Sequence, residues 1–346
     1  MKKNITIITI ISLILLTAME AYSAKEGILG SSSGSFEKVG AAGAQYLKIG
    51  VGGRANAMAG AASAISDDLS TLFWNPAGLS DLKGINAYFA YTQWFGGFSH
   101  NFASASMELN ENFKVGASII SFNSQEMKYT TVAQPDGTGA NFSENDIAMG
   151  LTLAGVLTDQ FSFGITAKYI SNAIGNLSSN GIAFDIGTRY NTGIYGIILG
   201  FSLHNLGSEQ QYDGQDLRGS SKINNALYAA PLDMSYVANS YTIPLTFRAG
   251  IAGDIIKEGE HHLLAAFDFM ALSDVPEQYA IGAEYTWNEI ISGRVGWRFG
   301  QYQDGFSAGI GLKYLSGGFG GKLDYSISPT YSLGLVNRLS ASVSFN

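Results

Sequence analysis

Residues 318–327 read Gly318-Phe319-Gly320-Gly321-Lys322-Leu323-Asp324-Tyr325-Ser326-Ile327. Phe319, Leu323, Tyr325 and Ile327 share one phase of a two-residue period, and Gly318, Gly320, Lys322, Asp324 and Ser326 share the other. Side chains of a strand alternate between its two faces. The stretch is therefore a strand with one apolar face and one small, charged face. The same pattern recurs at Phe161, Phe163, Ile165, Ala167 and Tyr169, at Ile182, Phe184 and Ile186, and at Phe306, Ala308, Ile310, Leu312 and Tyr314. It closes with Leu339, Ala341, Val343 and Phe345 against Ser340, Ser342 and Ser344. Working outward, about 14 such segments follow one another. They span 85–95, 98–109, 112–123, 143–156, 160–172, 180–191, 194–205, 242–254, 261–272, 276–287, 290–300, 304–315, 318–328 and 336–345.

Alternation alone also fits a soluble sandwich. Charge placement separates the two. Glu108, Lys114, Lys168, Asp185, Arg189, Arg248, Asp268, Glu284, Arg294, Arg298, Lys313, Lys322, Asp324 and Arg338 share phase with the small residues. Within single strands the pairs Asp185/Arg189, Arg294/Arg298 and Lys322/Asp324 agree. A charge on a lipid-facing position costs ~2–4 kcal/mol at the midplane, so its exclusion suits a transmembrane barrel. Connections also alternate: 110–112, 157–160, 191–193 and 288–289 are short, while the two longest, 124–142 and 206–241, belong to the other set. An even strand number with periplasmic termini puts the short set in the periplasm and the long set outside. Phe345, next to the last residue of an alternating strand, resembles the terminal aromatic of barrel-assembly signals.

Composition agrees. Glycine is 43 of 346 residues, about 12% against a usual ~7%, with only 6 Pro, 14% charged and 12% aromatic residues. The absence of Cys excludes disulfides, thiolate metal sites and a Cys nucleophile. A net charge of −8 with no basic stripe argues against nucleic acid. Met1-Lys2-Lys3, the apolar run from Ile5 to Ala18 and the small Ala21 and Ser23 read as a signal peptide cleaved after Ser23. The expected organisation is a signal peptide at 1–23, a periplasmic or plug segment at 24–84 and a barrel at 85–346. The fold class is all-β, a transmembrane β-barrel of about 14 antiparallel strands holding a small helical plug.

The plug reading starts from residues 43–79. Ser66 is expected to cap a short helix with Asp67 and Asp68 in its first turn, and Asn75-Pro76 to end it. Gly116, Gly150, Gly164, Gly200, Gly250, Gly282 and Gly309 lie on the inward phase and leave room for an occupant. Arg54, Asp67 and Asp68 are expected to meet inward charges. The pieces Tyr46-Leu47-Lys48-Ile49-Gly50, Gly53-Arg54-Ala55, Met58-Ala59-Gly60-Ala61, Asp67-Asp68 and Trp74-Asn75-Pro76-Ala77-Gly78-Leu79 resemble the PorV/PorQ family of FadL-like outer-membrane proteins. That resemblance implies a 14-stranded barrel with its N-terminal segment in the lumen. It implies a component of type IX protein secretion, with translocon and secreted cargo as partners. The FadL-like alternative is a transporter of hydrophobic small molecules. A general porin is a third option.

Candidate site residues follow. Plug: Gly53, Arg54, Asp67, Asp68, Trp74, Asn75, Pro76 and Gly78. Lumen charges: Arg248, Asp268, Glu284, Arg294, Arg298, Lys313, Lys322 and Asp324. External contacts, from an apolar-rich loop: Tyr212, Leu227, Tyr228 and Tyr236. Met58, Ile65, Leu69, Leu72, Phe73 and Trp74 read as plug core or as a pocket lining. Gly50-Val51-Gly52-Gly53-Arg54-Ala55 fits G-x-G-x-x-A but lacks a βαβ setting, so it is not a dinucleotide site. His261 and His262 point to opposite strand faces, which disfavours a shared metal; His100 and His204 stand alone. No catalytic constellation, metal or cofactor is expected. The surrounding partner is outer-membrane lipid.

Overall fold

The computed structural model describes residues 42–194, 196–222, 231–300, 305–316, 318–330 and 333–345. The signal-peptide reading of 1–23, the first part of segment 24–84, Leu227 and Tyr228 lie outside the described residues. Fourteen strands form one wall: β1 Ile85–Gln93, β2 Ser99–Glu108, β3 Phe113–Asn123, β4 Glu144–Thr158, β5 Phe161–Ile174, β6 Leu177–Asn191, β7 Ile198–Gly207, β8 Thr246–Glu258, β9 His261–Leu272, β10 Gln278–Trp287, β11 Ile291–Phe299, β12 Phe306–Ser316, β13 Phe319–Thr330 and β14 Gly334–Phe345. Each bonds antiparallel to the next, and β1 bonds to β14 with Ile85 opposite Phe345 and Gln93 opposite Asn337. The sheet closes on itself and leaves no edge unpaired.

The alternation read from the sequence is the alternation of exposure. In β1, Phe89 and Tyr91 face out while Tyr88, Ala90 and Thr92 are buried. Leu323 and Tyr325 face out from β13, and Asp324 and Ser326 face in. The outer surface is an apolar band carrying Trp287, Trp297, Ile310 and Leu339, as an outer-membrane barrel requires. The largest departures from the expected strands are β8, shifted by four residues at each end, and β7, which starts four residues late and runs to Gly207. A bulge shifts its register against β6 between Phe184 and Ile186. Asn205 adopts φ 61° there, so it turns inward beside His204, which is inward by the regular alternation with Gly200 and Ser202. Such two-against-one bulges re-aim side chains, and a strict two-residue period misses them.

The start of β1 and the end of β14 share the barrel's inner end. The long connections 124–143 and 208–245 lie at the outer end, each with a short hairpin: Met127–Lys128 with Asn141–Phe142, and Arg218–Ser221 with Leu232–Ser235. Residues 42–84 fill the lumen. They comprise 3-10 turns at Gln45–Lys48 and Pro76–Asp81 and two short helices, α1 Gly53–Ala57 and α2 Thr71–Trp74. None is long enough to be stable alone; packing holds them. Val51, Leu69, Leu72, Phe73, Trp74 and Leu79 form one core with Tyr88, Phe102, Ile120 and Ile170 of the wall. Leu72, Phe73 and Trp74 are thus plug core, as is Met58, which is fully buried; Leu69 belongs to the same core and also borders a cavity.

The capping expectation for Ser66 is corrected. The second helix begins at Thr71 after Ser70, which makes no side-chain cap. Ser66 Oγ instead donates to Asp81 Oδ2 at 2.7 Å. Asp67 and Asp68 precede the helix, because both are engaged elsewhere. Asn75 does end it, extended at φ −162°, with its side chain accepting from Ala77 N. Glycine placement explains how the plug seats. A Cβ on Gly164 would lie 2.3 Å from Pro76 C, one on Gly200 2.1 Å from Ser63 O, and one on Gly296 2.3 Å from Met58 C. Gly116, Gly250, Gly282 and Gly309 likewise face plug atoms. Gly150 differs: its nearest neighbours are Ser118 and Thr166 of the wall.

Candidate functional site

The plug is anchored by charge at its centre. Helix α1 carries Arg54 into the lumen. Gly53 allows this, since its N–H reaches Ser340 Oγ at 3.0 Å and a Cβ there would meet Asp324 O at 2.8 Å. Arg54 Nε and Nη2 donate to the two Glu284 oxygens at 2.7 and 2.6 Å, and Nη1 pairs with Asp67. Glu284 also accepts from Arg294, which donates to Asp324 Oδ1 at 2.6 Å. Register makes this possible, because Glu284 lies directly opposite Arg294 across β10 and β11. Lys322 completes the chain at 3.0 Å from Asp67 Oδ2. Arg54, Asp67, Glu284, Arg294, Lys322 and Asp324 thus form one network of alternating sign.

Burial opposes the charge on Arg54, but Asp67 and Glu284 outweigh it and hold the guanidinium above its usual range. Burial also raises the Asp67 carboxyl, and Arg54 and Lys322 more than offset it, holding that group below the usual carboxylate range. Its side chain is 50% exposed, so attraction to two cations decides its charge.

Around this centre, wall side chains bind the plug backbone. Asp268 Oδ2 accepts from Ala62 N at 3.2 Å, Ser63 N at 2.9 Å and Ser63 Oγ at 2.5 Å. Arg298 donates twice to Ala59 O, at 2.8 and 2.5 Å. Trp74 Nε1 donates to Val51 O at 3.0 Å, and the Arg248 guanidinium sits 4.7 Å over its ring. Asn75 donates to Ser63 O at 2.7 Å and Thr188 O at 3.1 Å. Pro76 packs on Gly164 and Gly187, and Gly78 leaves room for Thr71. Asp68 turns away from the network and accepts from Ser70 N at 2.8 Å. Lys313 lines a cavity of about 580 Å³ at the inner end, with Asp67, Asp81, Arg189 and Lys322. Ile65, partly buried, borders the same cavity.

Sequence reasoning missed several anchors. His204 is not isolated: Nδ1 lies 3.1 Å from Asp185 Oδ2, and Nε2 lies 3.1 Å from Trp74 O. Lys168 Nζ pairs with the same Asp185 oxygen at 2.6 Å. Lys48 meets Asp274 at 2.8 Å, and Arg189 pairs with Asp81. The inward phase of Lys168, Asp185 and Arg189 was a signal for three of these, and His204 shares the inward phase of Gly200 and Ser202; only the Lys48–Asp274 pair left none. His261 bonds Tyr285 and His262 bonds Asp254, each at 2.7 Å, so the two do not converge. Of the external candidates, Tyr212 is half-buried with its ring 5.6 Å from Tyr241, and Tyr236 is 70% exposed. At the outer end, the plug's Tyr46 stacks on Phe122 at 6.1 Å, and Phe122 stacks on Phe98 at 4.9 Å.

A closed 14-stranded antiparallel barrel with residues 42–84 in its lumen is a fold shared with solved channel proteins. The monoaromatic hydrocarbon channel CymD superposes with a TM-score of 0.62 at 12% identity, over 86% of this chain and 98% of that one. The toluene transporter TbuX of Ralstonia pickettii gives 0.56 at 12%, over 86% and 99%. The toluene transporter TodX of Pseudomonas putida gives 0.54 at 14%, over 84% and 96%. At such identities the likeness is one of fold. No protein-family model and no curated protein matches the sequence.

Proposed function

We propose that this protein is a non-enzymatic outer-membrane channel for hydrophobic small molecules, gated by the plug formed by residues 42–84 and exported by the signal at residues 1–23. The observation that carries the reading is the ring stack Phe98–Phe122–Tyr46. Phe98 and Phe122 are half-buried wall residues at the outer mouth, and Tyr46 belongs to the plug. An apolar ligand adsorbed on this stack therefore touches the gate directly. Three fold neighbours are channels or transporters of hydrocarbons, which supports the same class. Passage requires the plug to shift, since directional bonds tie it to at least seven wall residues: Ser202, His204, Asp268, Glu284, Arg298, Lys322 and Ser340.

The test uses the absence of cysteine. An Asp67→Cys/Lys322→Cys protein carries a unique thiol pair, which a short bifunctional maleimide can bridge. Cells producing it should take up radiolabelled toluene faster than cells lacking it, and bridging should abolish the difference. Uptake that ignores the bridge would refute plug gating.

A second reading is supported by a different observation. Leu232, Met234, Tyr236 and Val237 of the outer loop are all exposed, at 50, 47, 70 and 83%. Exposed apolar clusters of this kind mark protein contacts, and the PorV-like resemblance implies secretion cargo or translocon as partner. Pull-down from native membranes separates the two readings: co-purified secreted proteins, lost on replacing 232–237 with Ser/Gly, would favour docking over transport.

A further inference from the structure

Most lumen charges are paired, but one row toward the outer end is not. Four neighbouring strands place Ser326, Arg338, Thr92 and His100 side by side. Ser326 is opposite Arg338 across β13 and β14, Arg338 opposite Thr92 across β14 and β1, and Thr92 opposite His100 across β1 and β2. All four are buried, at 0, 6, 1 and 1% exposure. Arg338 Nη1 donates to Ser328 Oγ at 2.9 Å. Its Nε, the His100 Nε2 and the Ser326 Oγ have no hydrogen-bond partner. Among the described residues Arg338 meets no carboxylate. The two acids in register with it, Asp146 and Glu284, each lie four strands away, on the order of 15–20 Å by strand spacing, and Asp324, two residues from Ser326 on the adjacent strand, is taken by Arg294.

Other buried arginines are better covered. Arg54 and Arg294 pair with Glu284, and Arg298 is capped by Ala59 O; Arg248 also has an unpartnered Nε, but its guanidinium lies over the Trp74 ring. A buried cation without counter-charge is strongly unfavourable. Its orphaned donors, together with an imidazole and a hydroxyl, form a donor set that an anion satisfies. The next residue on the belt supplies apolar surface: Phe122 lies opposite His100, with ring centroids 6.5 Å apart, at the head of the stack to Phe98 and Tyr46.

We propose that the Arg338–His100–Ser326 row binds the carboxylate of an arene carboxylate whose ring rests on the Phe122 stack. The inference rests on the channel reading and sharpens it, because it assigns the ligand a negative end that a neutral hydrocarbon lacks.

The test is calorimetric titration of the purified full-length protein with benzoate, toluene and acetate. Benzoate and toluene share a ring and differ in the anion; benzoate and acetate share the anion and differ in the ring. Benzoate should bind at least tenfold tighter than either. Arg338→Met should weaken benzoate at least tenfold, the size of a lost charge-assisted hydrogen bond, and leave toluene unchanged. Because the arginine is unpaired without ligand, the same variant should melt at a higher temperature than the parent, an effect opposite to that of a structural residue. His100→Phe, which keeps a ring and removes the donor, should weaken benzoate too and serves if Arg338→Met does not assemble. Unchanged benzoate affinity in both variants would overturn the site, and acetate binding as tightly as benzoate would overturn the aromatic half. Toluene binding without a preference for benzoate would sink the anion site alone. Failure of both ligands to bind the parent would remove the channel reading with it.

Discussion

The wall and the plug of this barrel are held by different rules. The wall repeats one rule 14 times: apolar outward, small or charged inward, each strand bonded to the next. The plug repeats nothing. Its helices are four or five residues long, and it stays in place through single contacts with residues far along the chain, such as Arg54 to Glu284. A repeated rule tolerates local error, because neighbouring strands still pair. A set of single contacts does not, and that is the property a gate needs.

The largest expected effect breaks the plug while sparing the wall. Gly164→Leu puts a Cβ 2.3 Å from Pro76 C and 2.5 Å from Ala77 N, positions that backbone cannot vacate without unseating the turn. The variant should still form a heat-modifiable barrel but leak, measured as sensitivity to a large antibiotic normally excluded. Gly150→Ala, whose Cβ meets only Ser118 and Thr166 side chains, should behave like the parent. Equal leakage in both would erase the distinction between plug-facing and wall-facing glycines.

Glu284→Gln comes next. It strips the shared acid from Arg54 and Arg294 and leaves two buried guanidinium groups undercompensated. Breaking a buried pair costs about 3–5 kcal/mol. The cost should fall on plug seating, read as protease cleavage within 42–84 of otherwise intact barrels.

The third comparison lies within the wall. Leu323 faces lipid at 53% exposure, and Lys322 faces in. Leu323→Lys should lose ~2–4 kcal/mol of barrel stability and reduce assembled protein in the membrane. Lys322→Leu should assemble normally and lose only its contact with Asp67. Matching defects would reverse the face assignment.

The smallest effect concerns pH. Burial raises the Asp67 carboxyl, but Arg54 and Lys322 pull it below its ordinary range. A depressed acid contributes stability above its unfolded value, near 3.9, and loses it only as pH falls through the lower folded value. Plug protection from protease should therefore be flat between pH 8 and 5. Asp67→Asn should weaken it by the same modest amount across that range. A fall between pH 7 and 5 in the parent would point to a different group.

Lys114, Asp185, Asp268, Asp324 and Arg338 are buried on the phase that a two-residue period read from the sequence assigns to the lumen, because alternation is a local property. The same reading misplaced the helix start near Ser66, since Ser66 bonds Asp81 fifteen residues away. It also treated His204 as isolated, because its partner Asp185 lies on the neighbouring strand and the bulge there, which turns Asn205 inward, depends on Asp185 accepting from Asn205 N at 2.9 Å. Arg338 was visible as one inward charge among many. That it faces serines and a histidine emerges only from the register of four strands.

The amino-acid order by itself determined the strand number, the lipid-facing side and the presence of a lumen occupant. Those follow from a two-residue period, a lipid solvent that excludes charge and a lumen too wide for wall side chains to fill. Which charges meet was decided by the tertiary structure alone. Asp67 and Lys322 are 255 positions apart, and nothing local ties them. Only the closure of the wall around residues 42–84 brings them within 3.0 Å, and only closure sets Arg338 between Ser326 and Thr92 with no carboxylate among the described residues.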